Sequence, residues 1–96
     1  MARWLFNSLG EGVAFIVSDN VFYANGNFLG KLDGDEVWNN SYVASIIDNE
    51  RIAVKAIKPL GMKGLPGLPA LPGLLGLPGL KGPKAFPVGY NDLEIT

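Results

Sequence analysis

Six carboxylates, Asp19, Asp33, Asp35, Glu36, Asp48 and Glu50, recur at one register of a repeated pattern, so stacking the repeats would bring several of them to one rim. Such a rim has two conceivable chemistries. Calcium takes six to eight oxygens from a preorganised loop, and Asp33-Gly34-Asp35-Glu36 supplies part of that set without the terminal bidentate glutamate spacing. Two carboxylates flanking a sugar can act as acid and base, but that work needs a cleft, which hairpin tips on a small body seldom form. Acids and amides at these positions are first of all turn formers. The expectation is therefore no catalytic residue, no metal ligand and no cofactor site.

The chain contains no cysteine and no histidine. Thiolate and imidazole metal sites, cysteine nucleophiles and any triad built on imidazole are thereby excluded, and an enzyme is not expected. Trp4, Phe6, Phe15, Phe22, Tyr23, Phe28, Trp38 and Tyr42 could build a sugar-binding platform. Because each aromatic buries on the order of 150 to 250 Å², core or subunit contact is the simpler role. Arg51, Lys55 and Lys58 could meet an anionic partner, with a solvated edge as the ordinary alternative. Asn39-Asn40-Ser41 fits a glycosylation acceptor, but without an export signal it reads as a turn.

Composition divides the 96 residues: all seven prolines and eight of the thirteen glycines lie at or beyond Pro59. Residues 1–58 form the expected body, 59–84 a Gly-Leu-Pro tract, and 85–96 a C-terminal segment expected to dock. A body that small hides roughly 60 % of its unfolded surface and usually needs disulfides, metals or partners. Disulfides are impossible here, so partners are expected. No basic patch for nucleic acid is visible. Met1 to Phe6 is too short an apolar run for a signal peptide, and the uncharged stretch 65–80 is broken by proline and glycine. Neither export nor a membrane span is expected, leaving a cytoplasmic location by default.

Three segments stack, beginning at Val13, Leu29 and Val43, with starts 16 and 14 residues apart. Each runs aliphatic, small, variable, aliphatic, polar turn, large apolar. The small residue recurs as Ala14, Gly30 and Ala44, as a crowded contact between neighbouring units requires. Second turns at Asn25-Gly26 and Asn39-Asn40 separate them, and Asn-Gly is a strong hairpin signal. The reading is all-β: short antiparallel strands from Trp4 to about Ile57, in about four repeated hairpin units arranged radially. Hairpins of this size cannot each bury an apolar face and must share one core.

From Gly61 to Lys84 glycine falls at every third position but one, where Ala70 stands. That period suits a collagen-like trimer, since only hydrogen fits at the axis of three wound chains. The collagen-like rod is the first reading of the tract; a polyproline II segment packed on its own or a neighbouring body is the second, and a disordered linker the third. The same spacing aligns Leu65, Leu68, Leu71, Leu74, Leu77 and Leu80 on one edge, a stripe that something should cover.

Asn27 to Trp38, Tyr42 to Ile47, the glycine-proline tract and the ending Gly89-Tyr90-Asn91-Asp92-Leu93 together resemble the bacterial 4-fold beta flower domain family. The resemblance implies a small radial β fold and brings no functional residues. Arg51 to Lys55 lacks the aromatic that Phe22 and Trp38 supply, so four-fold regularity is incomplete. The functional expectation is a structural or protein-interaction module that self-assembles as a homo-oligomer. A small carbohydrate- or cation-binding β domain is the alternative.

Overall fold

The computed structural model describes residues 2–64, 67, 69, 76, 78, 79 and 81–93, and among them the chain is all-β without a helix. The strands are β1 (Ala2–Phe6), β2 (Gly12–Val17), β3 (Asn20–Tyr23), β4 (Phe28–Asp33), β5 (Glu36–Asn39), β6 (Ser41–Ile47), β7 (Arg51–Lys55) and β8 (Tyr90–Asp92). Each of the first seven pairs with the next in antiparallel order, and β1 returns to β7 to close a seven-stranded barrel. Closure is parallel, through Phe6 opposite Arg51, with the Phe6 N–H donating to the Glu50 carbonyl at 2.9 Å. The expectation of antiparallel strands throughout is corrected at this seam. In a meander of seven strands the first and last run in the same direction, so they can meet only in parallel.

Strand β8 is an eighth, added strand. It pairs antiparallel with β7 from Ala53 opposite Asp92 to Lys55 opposite Tyr90. One edge of β7 is thus divided, with β1 on its beginning and β8 on the remainder. Among the described residues no helix is long and apolar enough to cross a membrane.

The largest fully buried side chains are Leu5, Val21, Val37 and Ile52, spaced sixteen, sixteen and fifteen residues apart. Three of them lie opposite the small residues of the repeat: Leu5 faces Ala14, Val21 faces Gly30 and Val37 faces Ala44. A Cβ at Gly30 would stand 2.8 Å from the Trp38 carbonyl oxygen and 2.9 Å from Val37 Cγ1, so the crowding is physical. Directly after each large residue the register shifts, at Leu5/Phe6, Val21/Phe22 and Val37/Trp38. Such bulges bend a strand and increase its twist, and a narrow barrel needs both to close. Carried one residue further, the β7–β8 register puts Leu93 opposite Ile52, and Leu93 joins the core.

The polar turns have a shared backbone solution. Two-residue loops join β2 to β3 and β4 to β5, and a three-residue loop joins β6 to β7. The first residue of each loop, Ser18, Gly34 or Asp48, has φ of 55°, 65° or 55°. Only at Gly34 is that left-handed φ free of steric cost, whereas Asp48 tolerates it as short polar side chains do.

Candidate interaction surface

Opposite residues on paired strands share a face, and Trp4 opposite Phe15, Phe15 opposite Phe22, and Phe22 opposite Phe28 make a continuous aromatic row. Successive ring centroids lie 5.4, 5.4 and 5.8 Å apart. Side chains alternate faces along a strand, so this row points away from the interior that Leu5, Ala14 and Val21 fill. For these four aromatics the expected core role is thereby refined: the core cluster is aliphatic, with Tyr23 packed against it, and the four rings form an outer layer. Yet Phe15 is only 4 % and Phe22 only 3 % exposed. An outward ring reaches such burial only beneath a covering layer.

The Gly/Pro tract meets the row at Trp4, whose indole Nε1–H donates to the Gly76 carbonyl at 2.7 Å. Pro78 sits against Gly12, where an added Cβ would come within 2.7 Å of the proline Cβ and Cγ and 3.2 Å of the Trp4 ring. At Gly10 an added Cβ would overlap the Lys81 carbonyl. Both glycines therefore make room for the tract. The six leucines of the expected stripe lie outside the described residues.

Lysines tie the tract to the turns. Lys63 pairs with Asp33, stands 4.7 Å from the Trp38 ring centroid, and donates its backbone N–H to the Asn40 carbonyl at 2.8 Å. Lys81 pairs with Glu50 and stands 5.6 Å from the Phe6 ring centroid. Lys84 pairs with Asp48 and donates its N–H to the Ser8 carbonyl at 2.8 Å. Within the barrel, Lys55 donates to Glu36 at 2.8 Å. Hydrogen bonds from Lys81 and Lys55 hold the Glu50 and Glu36 carboxyls below their ordinary value, and Glu36 raises Lys55 in return.

Four of the six carboxylates expected at a rim are thus engaged by lysines. Asp19 and Asp35 contribute their backbone carbonyls instead, accepting from the Leu32 and Ile46 N–H groups at 2.7 Å each. Among the described residues no three acidic side chains gather as a metal site would require. The lysine spacing was visible in the sequence, since Lys63, Lys81 and Lys84 are the three cations that follow Pro59.

The reading of Arg51, Lys55 and Lys58 as one solvated edge is corrected at Arg51. It is 4 % exposed, at the seam where β1 closes on β7. Its Nη1 donates to the Asn7 carbonyl and its Nη2 to the Gly82 carbonyl, both at 2.8 Å, while Nε has no partner among the described residues. Lys55 is half-buried against Glu36. Only Lys58 is exposed. The arginine is drawn inward because the turn after β1 and the tract each leave a carbonyl pointing at it. Asn7, also buried, folds that turn by accepting at Oδ1 from the Leu9 and Glu11 N–H groups at 3.0 and 2.9 Å.

On another side of the barrel a hollow of about 470 Å³ opens between β6, β7 and β8, with Tyr23 of β3 among its walls. Val43, Val54 and Leu93 give it an apolar floor, and Lys55, Lys58, Asn91 and Asp92 surround it. The chain is therefore a small all-β barrel with two surface features, a covered aromatic row and an open hollow. In comparison with known proteins, no family model matches the chain, and neither a curated protein nor a solved structure matches it.

Proposed function

We propose that this chain is a non-enzymatic structural and protein-interaction module whose barrel binds Gly/Pro-rich chain along its outward aromatic row and self-assembles by sharing that tract between copies. The observation that carries the reading is the near-complete burial of Phe15 and Phe22 on the outer face, with Trp4 at the end of the row donating to Gly76. Aromatic grooves suit polyproline II chain because its conformation is already extended and its carbonyls point outward to accept from an indole.

The four large core residues at near-regular spacing support a radial arrangement of four related units like that of the beta flower resemblance. The fourth unit borrows its small strand from the end of the chain, as β8. Docking of Gly76, Pro78 and Lys81 to Lys84 on the barrel favours the packed polyproline reading of the tract over the collagen-like rod. A tract held by hydrogen bonds to its backbone and by lysine pairs can be exchanged with that of a second copy, because both copies offer the same partners.

Light scattering on the full chain over a range of concentrations, with and without a synthetic peptide of residues 61–93, tests the reading. A mass that rises with concentration and falls when the peptide competes is expected. A monomer at every concentration would overturn self-assembly, and a collagen-type circular dichroism band that melts on warming would reassign the assembly to a triple helix.

A further inference from the structure

Among the described residues the hollow between β6, β7 and β8 takes no part in the tract contacts given above, and its polar groups differ in how far they are already engaged. The Tyr42 hydroxyl bonds to Ser45 Oγ at 2.7 Å and accepts the Lys55 backbone N–H at 3.1 Å. The Lys55 ammonium is held by Glu36 at 2.8 Å. Asp92 is occupied by Ser8, whose N–H and hydroxyl donate to its two oxygens at 2.8 and 2.6 Å. The side chains of Tyr23, Asn91 and Lys58 remain, and among the described residues none of them makes a hydrogen bond or ion pair. The unengaged set is thus one cation and two neutral hydrogen-bonding groups above a floor of Val43, Val54 and Leu93. The one carboxylate in the lining is turned to Ser8.

From this arrangement we propose that the hollow is a binding site for a small organic monoanion with an apolar body, of the aromatic carboxylate class. The floor takes the apolar body, Lys58 meets the carboxylate, and Tyr23 and Asn91 supply hydrogen bonds at the rim. A cavity of about 470 Å³ is within the range of natural small-ligand sites and leaves room for a single ring with its substituent. A doubly charged or fully polar ligand fits less well, because it would desolvate the aliphatic floor's neighbours without filling the floor.

The test uses the full chain with methyl and amide NMR, titrated with benzoate and with the neutral isostere benzamide. Benzoate is expected to shift the Val43, Val54 and Leu93 resonances and to bind about fivefold more tightly than benzamide, the ratio a single charge contact in water provides. Lys58→Gln should abolish that preference, and Lys58→Glu should reverse it in favour of benzamidine over benzoate. Lys31→Gln, an exposed cation on β4, should leave the preference intact. Equal binding of benzoate and benzamide, shifts located elsewhere, no binding, or a loss as large in Lys31→Gln as in Lys58→Gln each overturns the proposal. All three variants alter exposed side chains, and their unligated spectra report whether the fold is kept.

Discussion

Ser8 and Asp92, 84 positions apart in the chain, are joined by two hydrogen bonds: the Ser8 N–H and hydroxyl donate to separate carboxylate oxygens at 2.8 and 2.6 Å. The bonds hold β8 beside the end of β1, where the two strands share one edge of β7. Asp92→Ala removes both acceptors, and the expected cost is about 1–2 kcal/mol, since solvent reaches the site and partly replaces what is lost. Amide exchange should accelerate first at Tyr90 to Leu93 and only later in β2 to β6. Uniform acceleration across the barrel would show that β8 is integral to it and not separately hinged.

Trp4 offers a way to separate indole hydrogen bonding from ring packing. Trp4→Phe keeps a ring beside Phe15 and removes the donor to Gly76, so the barrel should lose about 1 kcal/mol or less while the tract loosens. Contacts between Pro78 and the residue 4 ring, read as nuclear Overhauser effects, should weaken while the Phe15–Phe22 pair keeps its own. Gly12→Ala approaches the same contact from the other side. The new methyl group meets Pro78 at 2.7 Å, and displacing the proline should release the same tract residues without altering the β3–β4 pairing.

Much of this arrangement was legible in the sequence, and what was not has a common physical origin. The small residues Ala14, Gly30 and Ala44 marked the close approach because a side-chain clash is a local matter that recurs with the repeat. The alternation of turns marked short strands from Trp4 to about Ile57, the span in which β2 to β7 lie. The closing seam was hidden, since whether the last strand meets the first in parallel depends on strand number and not on any one residue. Arg51 was hidden too. Its burial depends on carbonyls from Asn7 and Gly82, which lie 44 and 31 residues away. Gly10 and Gly12 carried a signal, two glycines just before and at the start of β2, whose cause was a distant segment.

The carboxylate–lysine pairs predict a specific pH profile. Glu36 and Glu50 have folded pKa values below their ordinary 4.5, so the unfolded chain binds more protons in that range and stability rises with pH across it. Their contribution is complete above about pH 4.5 and is lost as pH falls through the lowered folded values. Lys55 is raised above 10.5, so its contribution is complete below 10.5 and lost as pH climbs through the higher folded value. Melting temperature against pH should therefore fall at both extremes, and added salt should flatten the acid limb because these pairs are partly solvated. Glu50→Gln should reduce the acid-side fall and free the residues around Lys81. An unchanged acid limb in the double variant Glu36→Gln/Glu50→Gln would assign the loss to other groups.

Arg51 is the residue on which barrel closure and tract docking both depend, because its two Nη groups reach carbonyls on either side of the seam. A lysine at this position keeps the charge but has no planar fork, so it can satisfy the Asn7 carbonyl or the Gly82 carbonyl and not both with the same geometry. Arg51→Lys should therefore cost about 1–3 kcal/mol, the penalty of leaving one buried carbonyl unpaired. Arg51→Met, which fills similar volume without charge, leaves both carbonyls unpaired but removes a buried cation with no ion-pair partner among the described residues. The two unpaired carbonyls destabilise, each by about 1–3 kcal/mol, and relief of the buried cation's desolvation offsets part of that loss. If Arg51→Met is less destabilising than Arg51→Lys in urea denaturation, the charge itself is a burden and only its directional donors hold the seam. The reverse order would mean that the carbonyl contact a lysine keeps outweighs the cost of its buried charge.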